Sequence, residues 1–162
     1  SSLGTVPLAA DAESLGAIPA SRYGTVYSTA DDSFGSGSSL SLEVPGVGVL
    51  RMRCDAGGTH NNDSDDVIDE FLFFSHSDVP MIASASTTRS VAPTAFVRTE
   101  QLEPGAGFAI GAGSAAASLE LTAVGIGENG ATAEFTATGE QLPSPQPAGD
   151  PCDGAIRAVV SG

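Results

Sequence analysis

Apolar and polar residues alternate with a period of two along most of this chain. The alternation is clearest in four segments, residues 39–44, 47–54, 118–126 and 131–138. Such a pattern is typical of strands with one face on a core and the other in solvent. No window combines an apolar period of 3.6 residues with helix caps, so we expect little or no helix.

Turn-forming residues separate the alternating segments. Pro45-Gly46, Glu103-Pro104-Gly105 and Glu128-Asn129-Gly130 supply the backbone conformations that tight turns need. The expected strands cover residues 22–28, 39–44, 47–54, 70–76, 79–85, 94–99, 108–110, 118–126, 131–138 and 155–160. Short strands at this spacing predict an all-β fold, a single-domain β-sandwich of immunoglobulin-like or jelly-roll type.

Two segments suggest how the strands are arranged. Phe71, Leu72, Phe73 and Phe74 follow one another, which predicts a central strand covered on both faces. The proline-rich residues 143–147 predict a connection that crosses from one sheet to the other.

The chain of 162 residues has the length of one domain. Its first 20 residues differ from the rest, being rich in alanine, glycine and serine with isolated apolar residues. We expect residues 1–20 to form an N-terminal arm or an edge strand, and residues 21–162 to form the β-sandwich domain.

Cys54 and Cys152 are the only cysteines. Cys54 shares the apolar face of its strand with Leu50 and Met52, so it is expected to point inward. A disulfide closing a loop of about 100 residues would contribute ~4 to 5 kcal/mol in the chain-entropy model. The alternative is two unpaired core thiols in a cytosolic protein; we favour the disulfide, which implies an oxidising compartment.

The formal net charge of −14 reflects six arginines and no lysine against 20 carboxylates. This balance argues against nucleic acid and anionic membranes as partners, because both bind through clusters of basic residues. No apolar run is long enough for a membrane-spanning helix, and membrane insertion is not expected. We expect an extracellular or cell-surface location, with a signal peptide already removed.

One segment concentrates oxygen ligands. Asp63, Asp65, Asp66 and Asp69 follow Asn61-Asn62, and hard cations such as calcium prefer several carboxylate and carbonyl oxygens. An EF-hand is excluded, because Asp66 replaces the turn glycine and Leu72 stands where the closing acid belongs. Calcium is therefore the one cofactor considered, in a loop site, and the alternative that we favour is a solvated acidic turn.

Nothing in the sequence forms a catalytic arrangement, so we expect that the protein is not an enzyme. Ser75-His76-Ser77-Asp78 contains the residue types of a catalytic triad, but neighbours in a strand point to opposite faces.

Two functions remain. The first is a secreted or surface-exposed structural or adhesive domain, a self-assembling subunit of an extracellular filament, layer or coat. The alternative is an extracellular module for carbohydrate or another ligand, assisted by calcium, with Tyr23 and Tyr27 as candidates for stacking on sugar rings.

Overall fold

The computed structural model of the chain describes residues 14–15, 18–19, 24–29, 32–34, 37–56, 66–89, 96–127, 130–141 and 152–161. These residues form strands and turns, with no helix among them and hence no helix that could cross a membrane. The predicted all-β class is confirmed.

Thirteen strands are present in the described residues. In chain order they are β1 (Ser14–Leu15), β2 (Ile18–Pro19), β3 (Thr25–Ser28), β4 (Asp32–Phe34), β5 (Ser39–Val44), β6 (Gly48–Ala56), β7 (Asp66–Ser75), β8 (Met81–Arg89), β9 (Phe96–Leu102), β10 (Gly107–Ser114), β11 (Ala116–Gly125), β12 (Thr132–Gln141) and β13 (Cys152–Ser161).

Two sheets pack face to face as a single-domain β-sandwich. The four-stranded sheet has the order β10-β7-β6-β5. The seven-stranded sheet has the order β3-β13-β12-β11-β8-β9, with β4 also paired to β13. Strands β1 and β2 pair with each other. Every strand pair is antiparallel, so alternate residues of each strand face the core.

The hairpin of β11 and β12 is the best-predicted element. Its register runs from Ala116 opposite Glu140 to Val124 opposite Thr132. Leu119, Leu121 and Phe135 are buried as their alternation predicted.

The predicted crossing by the proline-rich segment is wrong. Strands β12 and β13 are neighbours in one sheet, and Gln141 at the end of β12 lies opposite Cys152 at the start of β13. The chain between them therefore returns to the same sheet. Residues 143–147 themselves lie outside the described residues.

The prediction that both faces of residues 70–76 are covered is also wrong. Strand β7 is internal to its sheet, and Phe71 and Phe73 are buried, but Phe74 on the opposite face is 36% exposed. The ring of Phe74 lies beside Gly107 of the adjacent strand β10, where a side chain would collide with it. Phe74 thus covers the backbone of a glycine in a strand at the sheet edge.

A register shift in β7 places two residues that are three positions apart on the same, core-facing side of the strand. Arg53 lies opposite Glu70, and Cys54 lies opposite Ile68, so Asp69 is an extra residue between them. Such a bulge changes the phase of a strand. Ile68 and Phe71 are consequently both buried although they are three residues apart.

The two sheets contribute unlike side chains to the core. Phe73 of the four-stranded sheet meets Phe135 of the other sheet edge to face, with ring centroids 5.5 Å apart. Most of the buried alanines, by contrast, come from the seven-stranded sheet: Ala83, Ala85, Ala117, Ala123, Ala133, Ala137 and Ala158. Bulky residues of one sheet therefore rest on a shallow inner face of the other.

The sheets approach each other most closely at a pair of glycines. Gly139 of β12 and Gly154 of β13 lie directly opposite each other on the inner face. A Cβ atom on Gly139 would lie 2.9 Å from Cδ1 of Ile68, and one on Gly154 would collide with Cε of Met52. The missing side chains make room for these two residues of the four-stranded sheet.

The Cys54–Cys152 disulfide joins the sheets beside this contact. It links β6 to β13 across 98 residues of sequence, and both cysteines are fully buried. The predicted disulfide is confirmed.

We predict that Gly154→Ala lowers the free energy of unfolding by about 2 kcal/mol, the usual cost of overpacking a core. The new Cβ would lie 2.8 Å from the backbone oxygen of Thr138, which a side-chain rotation cannot relieve. Urea unfolding measures the change. Gly111→Ala is the control, because a Cβ there meets nothing within 4 Å. Equal stability of the two variants would contradict the packing argument.

We also predict that reduction of the Cys54–Cys152 bond costs about 4 kcal/mol of unfolding free energy, because the reduced unfolded chain regains the entropy of a large loop. Urea unfolding of the same protein with and without reductant gives the difference. Coincident unfolding curves, or two reactive thiols in the unreduced unfolded protein, would refute the prediction.

Candidate functional site

The tyrosines predicted to bind a ligand do not form a site in the described residues. Tyr27 lies in β3, is half-buried and packs against the hydrophobic core. Tyr23 lies outside the described residues. The structure thus gives Tyr27 a packing contact, and its role in binding stays a prediction.

Two of the four aspartates predicted to bind calcium lie in a strand and not in a loop. The pairing of β6 with β7 extends to Ala56 opposite Asp66, so Asp66 begins β7 and Asp69 occupies its bulge. Asp63 and Asp65 fall outside the described residues, and the described part holds no cluster of three potential metal ligands. The calcium site stays a prediction.

Residues 75–78 lead from β7 toward β8. The hydroxyl of Ser75 accepts a hydrogen bond from the Ser77 backbone (3.3 Å), and that of Ser77 accepts one from Val79 (3.2 Å). Nδ1 of His76 lies 3.8 Å from the Glu43 carboxylate near the surface. Both serine hydroxyls therefore stabilise the backbone between β7 and β8.

The outer face of the seven-stranded sheet, here called the large outer face, carries many hydroxyl groups. Register and alternation place on it the outward residues of β3, β8, β9, β11, β12 and β13. Many are serine or threonine: Ser84, Ser86, Thr88, Thr99, Ser118, Thr122, Thr132, Thr136 and Thr138.

Exposed aliphatic side chains also lie on the large outer face. Ile82 of β8 lies directly opposite Val124 of β11, and both are more than a third exposed. Val97 of β9 is 66% exposed and Val26 of β3 is 54% exposed. Val26 and Val97 lie on the two edge strands of the sheet, so Ile82 and Val124 are the adjoining pair. Adjoining exposed apolar residues mark interaction surfaces more often than single ones do.

The large outer face is acidic. Glu120 and Glu134 lie among its central strands, and Arg157 of β13 is the only cation at its outward positions among the described residues. Toward the start of β13, Glu140 and Asp153 lie directly opposite each other. Neither of these two carboxylates takes part in an ion pair in the described part of the chain.

A depression opens on this face beside Glu140 and Asp153. Its volume is about 540 Å³, and its lining includes Thr88, Ser118 and Thr138 from three neighbouring strands. Ala117, Gly139 and Gly154, which occupy core-facing positions, also line it. Cavities of this volume are typical of sites for small molecules.

The outer face of the four-stranded sheet, here called the small outer face, carries charges of both signs, with Glu43 and Glu70 on the same face as its two arginines. Val49, Leu72 and Phe74 supply its apolar surface, and Arg51 and Arg53 lie beside them on β6. Arg53 pairs with Glu70 at 3.3 Å. Arg51 donates to the hydroxyl of Ser41 and has no carboxylate partner among the described residues.

Arginines occupy the edge formed by β9 and β10. Nη1 of Arg98 donates to the backbone oxygen of Ala109 at 2.8 Å, while its other nitrogens bind Glu100. Arg89 donates in the same way to the oxygen of Gly111. Inward-pointing charges that bind edge carbonyls oppose the addition of a strand from another molecule.

Sequence reasoning missed the depression. The alternation indicated that Ser118 and Thr138 point away from the core, and the hairpin could have paired them. Thr88, however, joins them only through the pairing of β8 with β11, and Asp153 only through that of β12 with β13. No pattern within one segment of the sequence indicates which distant strands pair.

Comparison with known proteins identifies no relative of this chain: no protein-family model matches it, and neither a curated protein nor a solved structure does. Its function must be argued from its own surfaces.

Neighbouring threonines of β8 have opposite environments. Thr88 points outward into the depression, whereas Thr87 points into the core and is 1% exposed. Within the described part of the chain, the Thr87 hydroxyl has no hydrogen-bond partner. A buried hydroxyl without a partner costs free energy of folding.

We predict that Thr87→Val raises the free energy of unfolding by about 1 kcal/mol, because it removes an unpaired buried hydroxyl at constant shape. Thr29→Val makes the same chemical change at a hydroxyl that accepts a hydrogen bond from the Ile156 backbone at 2.9 Å. It should lower stability by a similar amount. Thermal unfolding of both variants tests the sign, and destabilisation by Thr87→Val would show that its hydroxyl is paired.

Proposed function

We propose that this protein is an extracellular structural or adhesive domain that self-associates through its two outer faces, as a subunit of a filament, layer or coat. The observation that carries the proposal is the contrast between these faces. Both expose apolar side chains, but the large outer face is acidic and the small outer face presents Arg51 and Arg53.

The charges favour contact between unlike faces. Two large outer faces would bring Glu120 and Glu134 of one copy near the same residues of another. A large outer face against a small outer face brings these acids toward Arg51 and Arg53. Complementary charges set the orientation of a contact and suppress the wrong one.

A contact between unlike surfaces leaves one of each free. It therefore continues from copy to copy and gives an open assembly, in contrast to a closed dimer. The arginines on the β9 and β10 edges oppose growth by strand addition there. Contact between outer faces is therefore the mode of association that is left open at that side of the sandwich.

Each contact would be small. The small outer face spans four strands, about 14 Å across at the usual spacing, and about 20 to 30 Å along the strands. This is below the size of a stable protein interface, about 800 Å² per partner. We therefore expect association that depends on concentration and on salt.

The disulfide favours a location outside the cytosol, which fits such a role. A buried disulfide between sheets is typical of proteins in oxidising compartments outside the cytosol. A domain that is covalently joined between its sheets also resists unfolding outside the cell.

We predict that the mass of the native protein, measured by light scattering, rises with concentration above the 16.1 kDa of one chain. Val124→Glu on the large outer face and Arg51→Glu on the small outer face should each weaken association by at least about tenfold, because each places an acid where the contact excludes it. Glu103→Arg, in the turn before β10, is the control and should associate as the native protein does.

Mixing the two variants distinguishes the geometry. Val124→Glu retains an intact small outer face and Arg51→Glu an intact large one, so the mixture should form pairs but no larger species. If Arg51→Glu alone still forms dimers, the contact joins like faces. A native protein that remains at 16.1 kDa at every concentration would overturn the proposal.

A further inference from the structure

We infer that the depression on the large outer face is a binding site for a neutral carbohydrate. This inference does not rest on self-association, because it concerns different residues at the other end of the face. The residues that would bind the sugar are Thr88, Ser118, Thr138, Glu140 and Asp153.

The register brings these side chains together. Thr88, Ser118 and Thr138 stand in one row across β8, β11 and β12, each directly opposite the next. Glu140 and Asp153 stand opposite each other in the following row. Cβ atoms of directly opposed residues lie about 5 Å apart, so a single small molecule can reach the whole set.

The polar groups of the depression are available. In the described part of the chain, no hydrogen bond engages the hydroxyl groups of Thr88, Ser118 and Thr138 or the carboxylate of Glu140. Asp153 uses one carboxylate oxygen to accept from the backbone of Gly154 at 2.8 Å, and its other oxygen is free to accept.

The chemistry of the set indicates the class of ligand. Carboxylates only accept hydrogen bonds, whereas hydroxyl groups both donate and accept. A sugar presents adjacent hydroxyl groups that also do both, so it can donate to Glu140 and Asp153 and exchange hydrogen bonds with the threonines and the serine.

Charge narrows the class further. Two adjacent carboxylates repel uronic acids and sulfated sugars. Arg89 also lines the depression, with its Nη2 bound to the oxygen of Gly111, so the two carboxylates outnumber one cation there. A neutral sugar satisfies the acceptors without adding negative charge.

Among the described residues, no aromatic ring lines the depression. Binding would therefore rest on hydrogen bonds without stacking, and we expect dissociation constants on the order of 1 mM for single sugars. Repetition of the domain in an assembly would raise the avidity for a surface that carries many such sugars.

The test is a titration of ¹⁵N-labelled native protein, followed by amide chemical shifts, with glucose, galactose, mannose and N-acetylglucosamine. The inference requires at least one sugar to shift the amides of Gly139 and Gly154 in a saturable way. Thr138→Val and Glu140→Gln should each weaken that binding roughly five- to tenfold, since the first removes a hydroxyl group and the second replaces a carboxylate acceptor by an amide donor, both at nearly constant size.

Thr136→Val is the matched control. Thr136 stands on the same strand and face, two residues from Thr138 and outside the depression, and its replacement should leave the affinity unchanged. Equal losses for Thr136→Val and Thr138→Val would overturn the assignment of the site.

Two other outcomes would overturn the inference. One is shifts that do not saturate, or that spread over the surface, with all four sugars. The other is a response at Gly139 and Gly154 to calcium chloride but to no sugar, which would identify a cation site. The Val124→Glu variant should bind sugar like the native protein, so failure of self-association would leave this result intact.

Discussion

The placement of Met52 and Ile68 over two glycines sets the relation between the sheets. Gly139 and Gly154 lie opposite each other without side chains, and the disulfide of Cys54 is formed next to them. Any side chain at either glycine would push the sheets apart at the point where they are covalently joined. The alanines of the seven-stranded sheet extend the same constraint, because bulky residues of the other sheet fit only onto a shallow inner face.

Local features of the chain could be predicted, and contacts between distant segments could not. Alternation identified the core faces of β6, β11 and β12, and the inward position of Cys54 made its disulfide a sound prediction. The bulge at Asp69 defeated alternation, because an extra residue changes the phase of β7. The depression was missed because β8 and β11 are brought together by the fold. The crossing between sheets predicted from the proline-rich residues 143–147 was wrong because composition does not define which strands a connection joins.

The two faces that lie away from the core differ because the sheets differ in width. Seven strands offer a broad surface on which small hydroxyl residues, acids and a few aliphatic side chains are spread. Four strands offer a narrow surface, of which Arg51 and Arg53 make up a larger share. A thin core serves both, since one layer of side chains separates two surfaces of different chemistry.

Arg98 and Arg89 bind backbone oxygens of β10 through guanidinium groups. A guanidinium keeps its proton at every pH at which proteins occur, unlike the side chain of histidine or lysine. The bond from Arg98 to the oxygen of Ala109 requires no carboxylate. The protection of this sheet edge against unwanted pairing is therefore independent of the acidity of the medium.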